Sequence, residues 1–240
     1  MNISGVDLAS RPEATAVARL DWETRRCIGL TVGADDDEVV ATAAASDKCG
    51  IDAPFGWPDA FVEVVAAHHG SDAVDVPDPN ESLRLRRTDI WVWRTHGRIP
   101  LSVSTDNIGV VALRAVRIQQ RVAALTGPVD RTGGGVLAEV YPAAALKIWD
   151  LPHRGYKRGD EAAARRRVIL DGLEARFDLA ISPQDEAVAL ASHDALDALV
   201  SALIAGLITD GATTPVPPEL REIAAREGWI HVPLGQRRPW

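Results

Sequence analysis

The stretch from His193 to Ile208 constrains this chain more than any other, because it is almost wholly apolar. Nearly every residue from Ala195 onward is apolar or small, which predicts a helix buried almost all round. The polar exceptions are Asp194, Asp197 and Ser201, and their spacing puts them on one helical face. An unpaired buried charge is very costly, so we expect these acids to meet either basic groups or a metal ion.

The two acids differ in how easily local structure explains them. Ser192 is a good N-cap residue, and an acid in the first turn favours the helix dipole, so Asp194 needs no ligand to account for it. Asp197 lies beyond the first turn with apolar residues around it. Asp197 is therefore the better candidate for a direct ligand.

The 240-residue composition is that of a globular protein, with enough chain for one large domain or two small ones. No apolar run approaches the roughly 20 residues of a membrane span. The N-terminus lacks the character of a signal peptide, so we expect a cytoplasmic protein with no membrane partner. Cys27 and Cys49 fit neither a disulfide framework nor a zinc pattern.

The net charge of −8 argues mildly against nonspecific nucleic-acid binding. The charge is uneven, however. Arginines cluster between Leu83 and Leu101, and basic residues cluster again between Arg154 and Arg167. Each cluster is either a binding surface or a set of solvated surface side chains.

Apolar runs bounded by turn residues predict the secondary structure. Strands at residues 2–8, 14–20 and 26–32 are separated by polar segments and predict an antiparallel meander. Two later strands, residues 49–53 and 136–141, each stop at a proline. Start and stop signals predict helices at residues 35–45, 58–69, 106–125, 160–177, 182–191 and 193–208, with a short last helix after Pro218. The segment 83–104 fits neither pattern clearly, and we expect an inserted hairpin or a cap there.

Acids stand at or near the ends of three predicted strands. They are Asp7 on the first, Asp52 on the fourth and Glu139 on the fifth. A helical crossover makes strands four and five parallel, and with the first strand beside the fourth the three acids share one edge of the sheet. Ligands bind at that carboxyl-end edge in open α/β sheets. The helix carrying Asp194 and Asp197 can pack across the same edge.

Such a group of carboxylates would repel strongly unless a cation lay between them. Mg²⁺ or Mn²⁺ suits the position, since hard cations prefer carboxylate oxygen and water. Two such ions about 3.5–4 Å apart can activate a water and stabilise the leaving oxygen in phosphodiester cleavage. Taken singly, each strand-end acid would more often cap or turn the chain.

Several motifs resemble known families. Gly5-Val-Asp7 and Asp194-Ala-Leu-Asp197-Ala-Leu resemble the RuvC-type resolvase pattern, in which a strand-one aspartate and an Asp-x-x-Asp-Ala-Leu helix bind metal. Over almost its full length the chain resembles domain-of-unknown-function family 429, described as predicted nucleases of ribonuclease H-like fold. The further matching pieces are Ile51-Asp-Ala-Pro-Phe-Gly56, Arg87-Thr-Asp89, Glu139-Val-Tyr-Pro142, Tyr156-Lys157, His193-Asp-Ala-Leu-Asp-Ala-Leu199 and Gly228-Trp-Ile-His-Val-Pro233.

The resemblance implies a single α/β domain of ribonuclease H-like fold over residues 1–240. Its mixed five-stranded sheet would combine the antiparallel meander with parallel strands, flanked by helices. An insertion after strand four would occupy about residues 56–104, and a C-terminal extension about residues 212–240.

The leading hypothesis is a metal-dependent nuclease whose cofactor is a pair of Mg²⁺ or Mn²⁺ ions. Asp7 would bridge the ions, and Asp52, Asp194 and Asp197 would complete the ligand set. Glu139 would orient the attacking water, or would support the ligands from behind. The resolvase pattern has a glutamate where Asp52 stands, and Asp52-Ala-Pro54 could also simply end a strand.

Arg87 and Lys157 are the expected substrate-binding residues, since both could contact a phosphate. In the alternative reading, Arg87 forms a surface pair with Asp89 and Lys157 lies on a loop without a role. Tryptophans 57, 91 and 93 could stack on bases, although packing is favoured for at least two of them.

Two other functions stay open. Sugar kinases and actin-like ATPases share the ribonuclease H-like core but bind phosphates with glycine-rich hairpins, whereas here Asp7 is followed by Leu8-Ala9-Ser10. A non-catalytic module could instead bind nucleic acid or protein through residues 84–98, and would not respond to Mg²⁺ or Mn²⁺. Nucleic acid is the expected partner. The sequence names neither the kind of nucleic acid nor the oligomeric state.

Overall fold

A six-stranded mixed sheet forms the centre of the molecule, in a computed structural model that describes residues 1–235. The last five residues of the expected C-terminal extension lie outside this range. The strand order is β3-β2-β1-β4-β5-β6. The strands span Asn2–Asp7 (β1), Ala16–Asp21 (β2), Arg26–Val32 (β3), Lys48–Asp52 (β4), Leu137–Val140 (β5) and Ile230–His231 (β6).

The pairing directions are those that the sequence predicts. Strands β1, β2 and β3 form an antiparallel meander, while β1, β4 and β5 run parallel. The predicted number of five strands is wrong, because β6 pairs in parallel with β5. A two-residue strand is too short to show an alternating pattern, so only its pairing partner reveals it.

Ten α-helices surround the sheet among the described residues. They span Asp36–Ala44 (α1), Asp59–His69 (α2), Glu81–Arg84 (α3), Arg87–His96 (α4), Ile108–Thr126 (α5), Pro142–Ile148 (α6), Ala162–Phe177 (α7), Pro183–Ala191 (α8), His193–Thr209 (α9) and Arg221–Glu227 (α10). None of them is by itself long and apolar enough to cross a membrane; α8 and α9 reach that length and composition only together, bent by 116°.

The apolar residues of the strands pack on both faces of the sheet. On one face, Ile3 and Leu20 pack with α9, which is the most buried helix of the fold. On the other, Val6 and Ile51 pack with α1 and α5. The prediction of a helix buried almost all round is therefore confirmed for α9.

The segment 83–104 contains the end of α3 and the whole of α4 but no strand, so the hairpin alternative is wrong, while the cap alternative stays a prediction. Asp89 accepts a hydrogen bond from the backbone N–H of Arg86 and thereby caps the start of α4, and Gly97 follows the end of the helix in the left-handed conformation. Trp91 packs against Trp229 with ring centroids 5.3 Å apart, whereas Trp93 is exposed. The sequence does not predict this helix, because charged residues interrupt its few apolar positions and the helical period is hard to recognise over ten residues.

Candidate functional site

The site begins with an unusually close contact between α9 and the sheet. A Cβ on Gly50 of β4 would lie 2.6 Å from the carbonyl oxygen of Ser201, and one on Gly5 of β1 would clash with the backbone of Ala198 and Ala202. Only glycine leaves room for a helix backbone at this distance. The two glycines thus bring α9 directly against β1 and β4.

Three aspartates gather where α9 passes the carboxyl ends of these strands. Asp7 and Asp52 end β1 and β4 and are register partners in the parallel pair, so their side chains point to the same face of the sheet. Gly5 and Gly50 share that face, which is the face that α9 covers. From α9, Asp197 joins them with only 1% of its surface exposed.

The carboxylate of Asp197 has one hydrogen-bonded oxygen and one without a hydrogen-bond donor. Tyr156 donates to Oδ1 at 2.9 Å. Lys157 Nζ lies 2.7 Å from Oδ2 and forms an ion pair, but among the described residues no donor meets this buried oxygen in hydrogen-bonding geometry. Among the described residues, the Lys157 ammonium is therefore the partner of Oδ2, and it pairs with this buried oxygen by charge.

Burial and mutual repulsion disfavour the charged forms of these acids. Burial raises the pKa of Asp7 well above its usual value, and the nearby charges of Asp197 and Asp52 raise it further. Burial likewise raises the pKa of Asp52 to about 7, although Lys157 partly opposes the shift. Raised pKa values of this kind concentrate at functional sites.

Lys157 is the cation nearest to the three acids. Burial alone would lower the pKa of its ammonium group, but the attraction of Asp197, Asp7 and Asp52 outweighs burial and raises the pKa. The side chain is still about half exposed, with 48% of its surface accessible. The structure therefore brings this predicted residue to the acids and leaves it open to a ligand.

His193 belongs to the same cluster, and the sequence reasoning did not select it. Potential ligand atoms of Asp7, His193 and Asp197 all lie within 4.8 Å of one another, a spacing that a single metal ion could bridge. The position of His193 at the start of the helix that carries Asp194 and Asp197 is the sequence feature that could have indicated it.

Asp194 stands apart from this three-residue group. It occupies the first turn of α9, where Ser192 Oγ accepts the N–H groups of Asp194 and Ala195. Partial burial opposes ionisation of Asp194, but His193 Nδ1 lies 2.9 Å from its Oδ1, and the net effect lowers its pKa. The geometry fits the helix-start reading, while a ligand role stays a prediction.

Glu139 lies at the expected edge but on the opposite face of the sheet. Its register partner is Ile51, whereas Asp52 pairs with Asp7, and neighbouring strand residues point to opposite faces. Arg86 binds both carboxylate oxygens, with Nη1 and Nη2 at 2.8 and 2.7 Å. A role for Glu139 in orienting water stays a prediction, but the carboxylate is already committed to a buried ion pair.

Arg86 was not among the predicted site residues, but it makes buried contacts with acids, whereas its neighbour Arg87 was the predicted residue. Its Nη2 also meets Asp89 Oδ1 at 2.9 Å, so Arg86 lies between two buried acids. The alternative of an Arg87–Asp89 surface pair is wrong, because Asp89 is buried and binds Arg86. The side chain of Arg87 is exposed, and its backbone N–H donates to Glu227.

A cavity of about 440 Å³ opens beside the acids. Residues of β1, β4, β5 and α9 form its floor, and residues 98–101 form its rim. Its lining comprises Asp7, Leu8, Asp52, Ala53, Pro54, Arg86, Arg98, Ile99, Pro100, Leu101, Ile108, Glu139, Val140, Tyr141, Ala143, Lys157, Asp197 and Ile230. Acids and cations thus meet in one concave, partly apolar space.

Comparison with known proteins identifies the family. A family model described as "Protein of unknown function (DUF429)" matches residues 5–222, a range that contains all the acids of the cluster. The family predicted from the sequence motifs is confirmed. No curated protein and no solved structure matches the chain.

Proposed function

The chain belongs to the DUF429 family of proteins of unknown function, and we propose from its site that it is a metal-dependent phosphodiesterase that acts on nucleic acid. The observation that carries this proposal is the convergence of Asp7, Asp52 and Asp197, with raised pKa values for the first two. The meander followed by parallel strands supports the further proposal of a ribonuclease H-like fold.

The donor set fits a divalent cation. Carboxylate oxygens are the preferred ligands of Mg²⁺ and Mn²⁺, and a histidine nitrogen favours Mn²⁺ among these two. Asp7, Asp52 and Asp197 would hold the metal, with His193 as a nitrogen ligand; Asp194 remains the predicted additional acid. The Oδ2 atom of Asp197 supports this assignment, because its partner is the ammonium of a half-exposed lysine, which a metal ion could replace. When bound, a divalent ion or a pair of them supplies positive charge that acidifies water and stabilises the departing oxygen.

Side chains around the acids have supporting tasks in this proposal. Tyr156 fixes the orientation of the Asp197 carboxylate through its hydrogen bond. Lys157 would exchange its ion pair for a contact with the scissile phosphate, for which its half-exposed side chain is suited. Glu139 accepts the backbone N–H of Phe55 at 2.9 Å and so helps to hold the segment that follows Asp52.

Replacement of Asp7 tests the proposal. We expect Asp7→Asn to abolish Mn²⁺-dependent hydrolysis of phosphodiesters while the protein remains folded, because the variant removes one ligand charge and little volume. Asp37→Asn is the matched control, since Asp37 is exposed and belongs neither to the acid cluster nor to the cavity lining. The assay would follow short single-stranded and duplex oligonucleotides by gel, with circular dichroism to verify folding.

Equal activity of the wild type and Asp7→Asn would overturn the metal-site assignment. Turnover of ATP without cleavage of any phosphodiester would favour the phosphotransferase alternative instead. Absence of any thermal shift with Mg²⁺ or Mn²⁺ would favour a non-catalytic binding module.

A further inference from the structure

The rim of the cavity is held in place by an anchored turn. Helix α4 ends at His96, and Gly97 follows with φ of 63°. Lys147 of α6 donates hydrogen bonds to the carbonyl oxygens of His96 at 2.6 Å and Gly97 at 3.1 Å. Because α6 directly follows β5, this contact ties the insertion to the strand edge that carries the site. Arg98 is the next residue after this turn.

Arg98 presents a guanidinium group to the cavity. Its Nε donates to Tyr141 Oη at 3.1 Å, and its guanidinium carbon lies 5.7 Å from the Tyr141 ring centroid. Over residues 1–235, no acceptor meets its two terminal nitrogens. A guanidinium oriented through Nε with free terminal nitrogens matches the geometry of a phosphate.

The residues after Arg98 add an apolar wall. Ile99 and Leu101 expose 49% and 60% of their surfaces, and both line the cavity with Pro100 between them. Exposed apolar side chains at the mouth of a polar site commonly contact the organic part of a ligand. The rim thus offers a cation and an apolar surface within four consecutive residues.

The size and charge of the cavity fit a small ligand. Its volume falls within the about 300–1,000 Å³ typical of small-molecule sites. Three cations line it among the described residues, and Arg86 is already bound to Glu139 and Asp89, which leaves Lys157 and Arg98. A protein that binds duplex DNA through about 6–10 phosphates needs a comparable number of contacts to them. Arg98, together with Lys157 once it leaves its pair with Asp197, instead suits one or two phosphates.

We propose that the cavity accepts a single nucleotide unit, such as the end of a nucleic-acid strand or a short oligonucleotide, with Arg98 as a specificity-determining phosphate-binding residue. Ile99, Pro100 and Leu101 contact the base or sugar of this unit, while Lys157 and the acids face its phosphodiester. This inference rests on the proposed phosphodiesterase function and names its substrate class.

Binding of a nucleotide tests the inference without requiring turnover. Adenosine 5′-monophosphate is titrated calorimetrically into wild type, Arg98→Ala, Arg98→Lys and Arg94→Ala, each in the presence of Mn²⁺. Loss of a charge-assisted hydrogen bond predicts affinity weaker by about tenfold or more for Arg98→Ala. Arg98→Lys should retain part of the affinity. Arg94→Ala is the matched control, because Arg94 lies on the same segment with 73% of its side chain exposed and loses the same charge.

Cleavage assays then separate this inference from the proposed function. The expected result is hydrolysis of linear oligonucleotides from their ends, with no cleavage of closed circular duplex DNA. Cleavage of the circle together with no binding of the nucleotide would overturn the inference while leaving the phosphodiesterase intact. Nucleotide binding that depends on Arg98, without cleavage of any substrate, would support the cavity assignment and overturn the proposed function. Equal affinities for Arg98→Ala and Arg94→Ala would also overturn the role of Arg98.

Discussion

At the scale of single residues, Arg86 neutralises two buried carboxylates at once. It is 1% exposed and forms ion pairs with Asp89 and Glu139, while its Nη1 also donates to the carbonyl oxygen of Glu227 at 3.1 Å. These contacts join α4, β5 and α10. Burial raises the pKa of Glu139, and Arg86 opposes that rise by favouring its charged form.

Arg86→Met should therefore be strongly destabilising. Removal of one member of a buried ion pair leaves the partner charge unpaired and typically costs about 3–5 kcal/mol. Arg87→Met is the matched control, since the neighbouring side chain is exposed and an exposed substitution usually changes stability by less than about 0.5 kcal/mol. Urea denaturation measures both free energies of unfolding, and similar values for the two variants would contradict the buried role.

The Arg86–Arg87 pair also shows where sequence reasoning about a residue ends. The two arginines have the same charge and adjacent positions, so composition cannot tell which one is buried. The distinction arises from the start of α4, where Asp89 accepts the backbone N–H of Arg86 and brings that side chain inward. His193 was missed for a related reason, because its nearness to Asp7 depends on how α9 crosses the sheet.

At the scale of secondary-structure elements, the packing of α9 on β1 and β4 sets the spacing of the acids. Gly5→Ala should push α9 away from the sheet, because the new Cβ would clash with the backbone at Ala198 and Ala202, which cannot rotate aside. Overpacking of a core typically costs about 1–3 kcal/mol, and a backbone clash should reach the upper part of that range. The melting temperature and the affinity for Mn²⁺ should therefore both fall.

Gly29→Ala provides the comparison within the same sheet. Its Cβ would lie 3.5 Å from the flexible Arg19 side chain, which is an ordinary contact. We expect little loss of stability and unchanged Mn²⁺ binding. Equal destabilisation by the two substitutions would contradict the prediction, because the clash with α9 at Gly5 would then not explain the loss of stability.

Elements with long, regular patterns are predictable from this sequence, and short ones are not. Strand β3 has the predicted bounds, and α5 differs from its prediction by only two residues at the start and one at the end. Helix α6 was missed, since Pro142 ends a strand and also begins a helix at a position that tolerates proline. Strand β6 was missed because only pairing with β5 defines it.

At the scale of the whole molecule, the sequence predicts the edge at which the acids gather but not the face on which each one lies. Parallel order alone places Asp7, Asp52 and Glu139 at one edge. Their division between two faces depends on register, which a shift of one residue would reverse. The register joins Asp7 with Asp52 and sends Glu139 to Arg86, so the six-stranded sheet separates the candidate ligand set from a supporting ion pair.

The stability of the whole molecule should depend on pH through the protonation of Asp7 and Asp52. Without divalent ions, the raised pKa values of Asp7 and Asp52 mean that these two groups bind more protons in the folded protein than in the unfolded chain, for Asp52 between pH about 4 and about 7. Stability that these groups provide at lower pH is then lost as the pH rises, for Asp52 up to about 7. Buried His231, whose pKa burial lowers to about 4, acts in the opposite direction, so a comparison with a variant is needed.

Asp52→Asn isolates this effect, because the amide does not titrate. In EDTA, the melting temperature of the wild type should fall relative to that of Asp52→Asn as the pH rises from about 4 to about 7. Millimolar Mn²⁺ should reverse the trend for the wild type, since metal binding needs deprotonated carboxylates and stabilises the folded state by mass action. The Mn²⁺-induced rise in melting temperature should therefore grow with pH in the wild type and be much smaller in Asp52→Asn. A Mn²⁺ effect that is independent of pH, or equal in the two proteins, would place the ion elsewhere in the molecule.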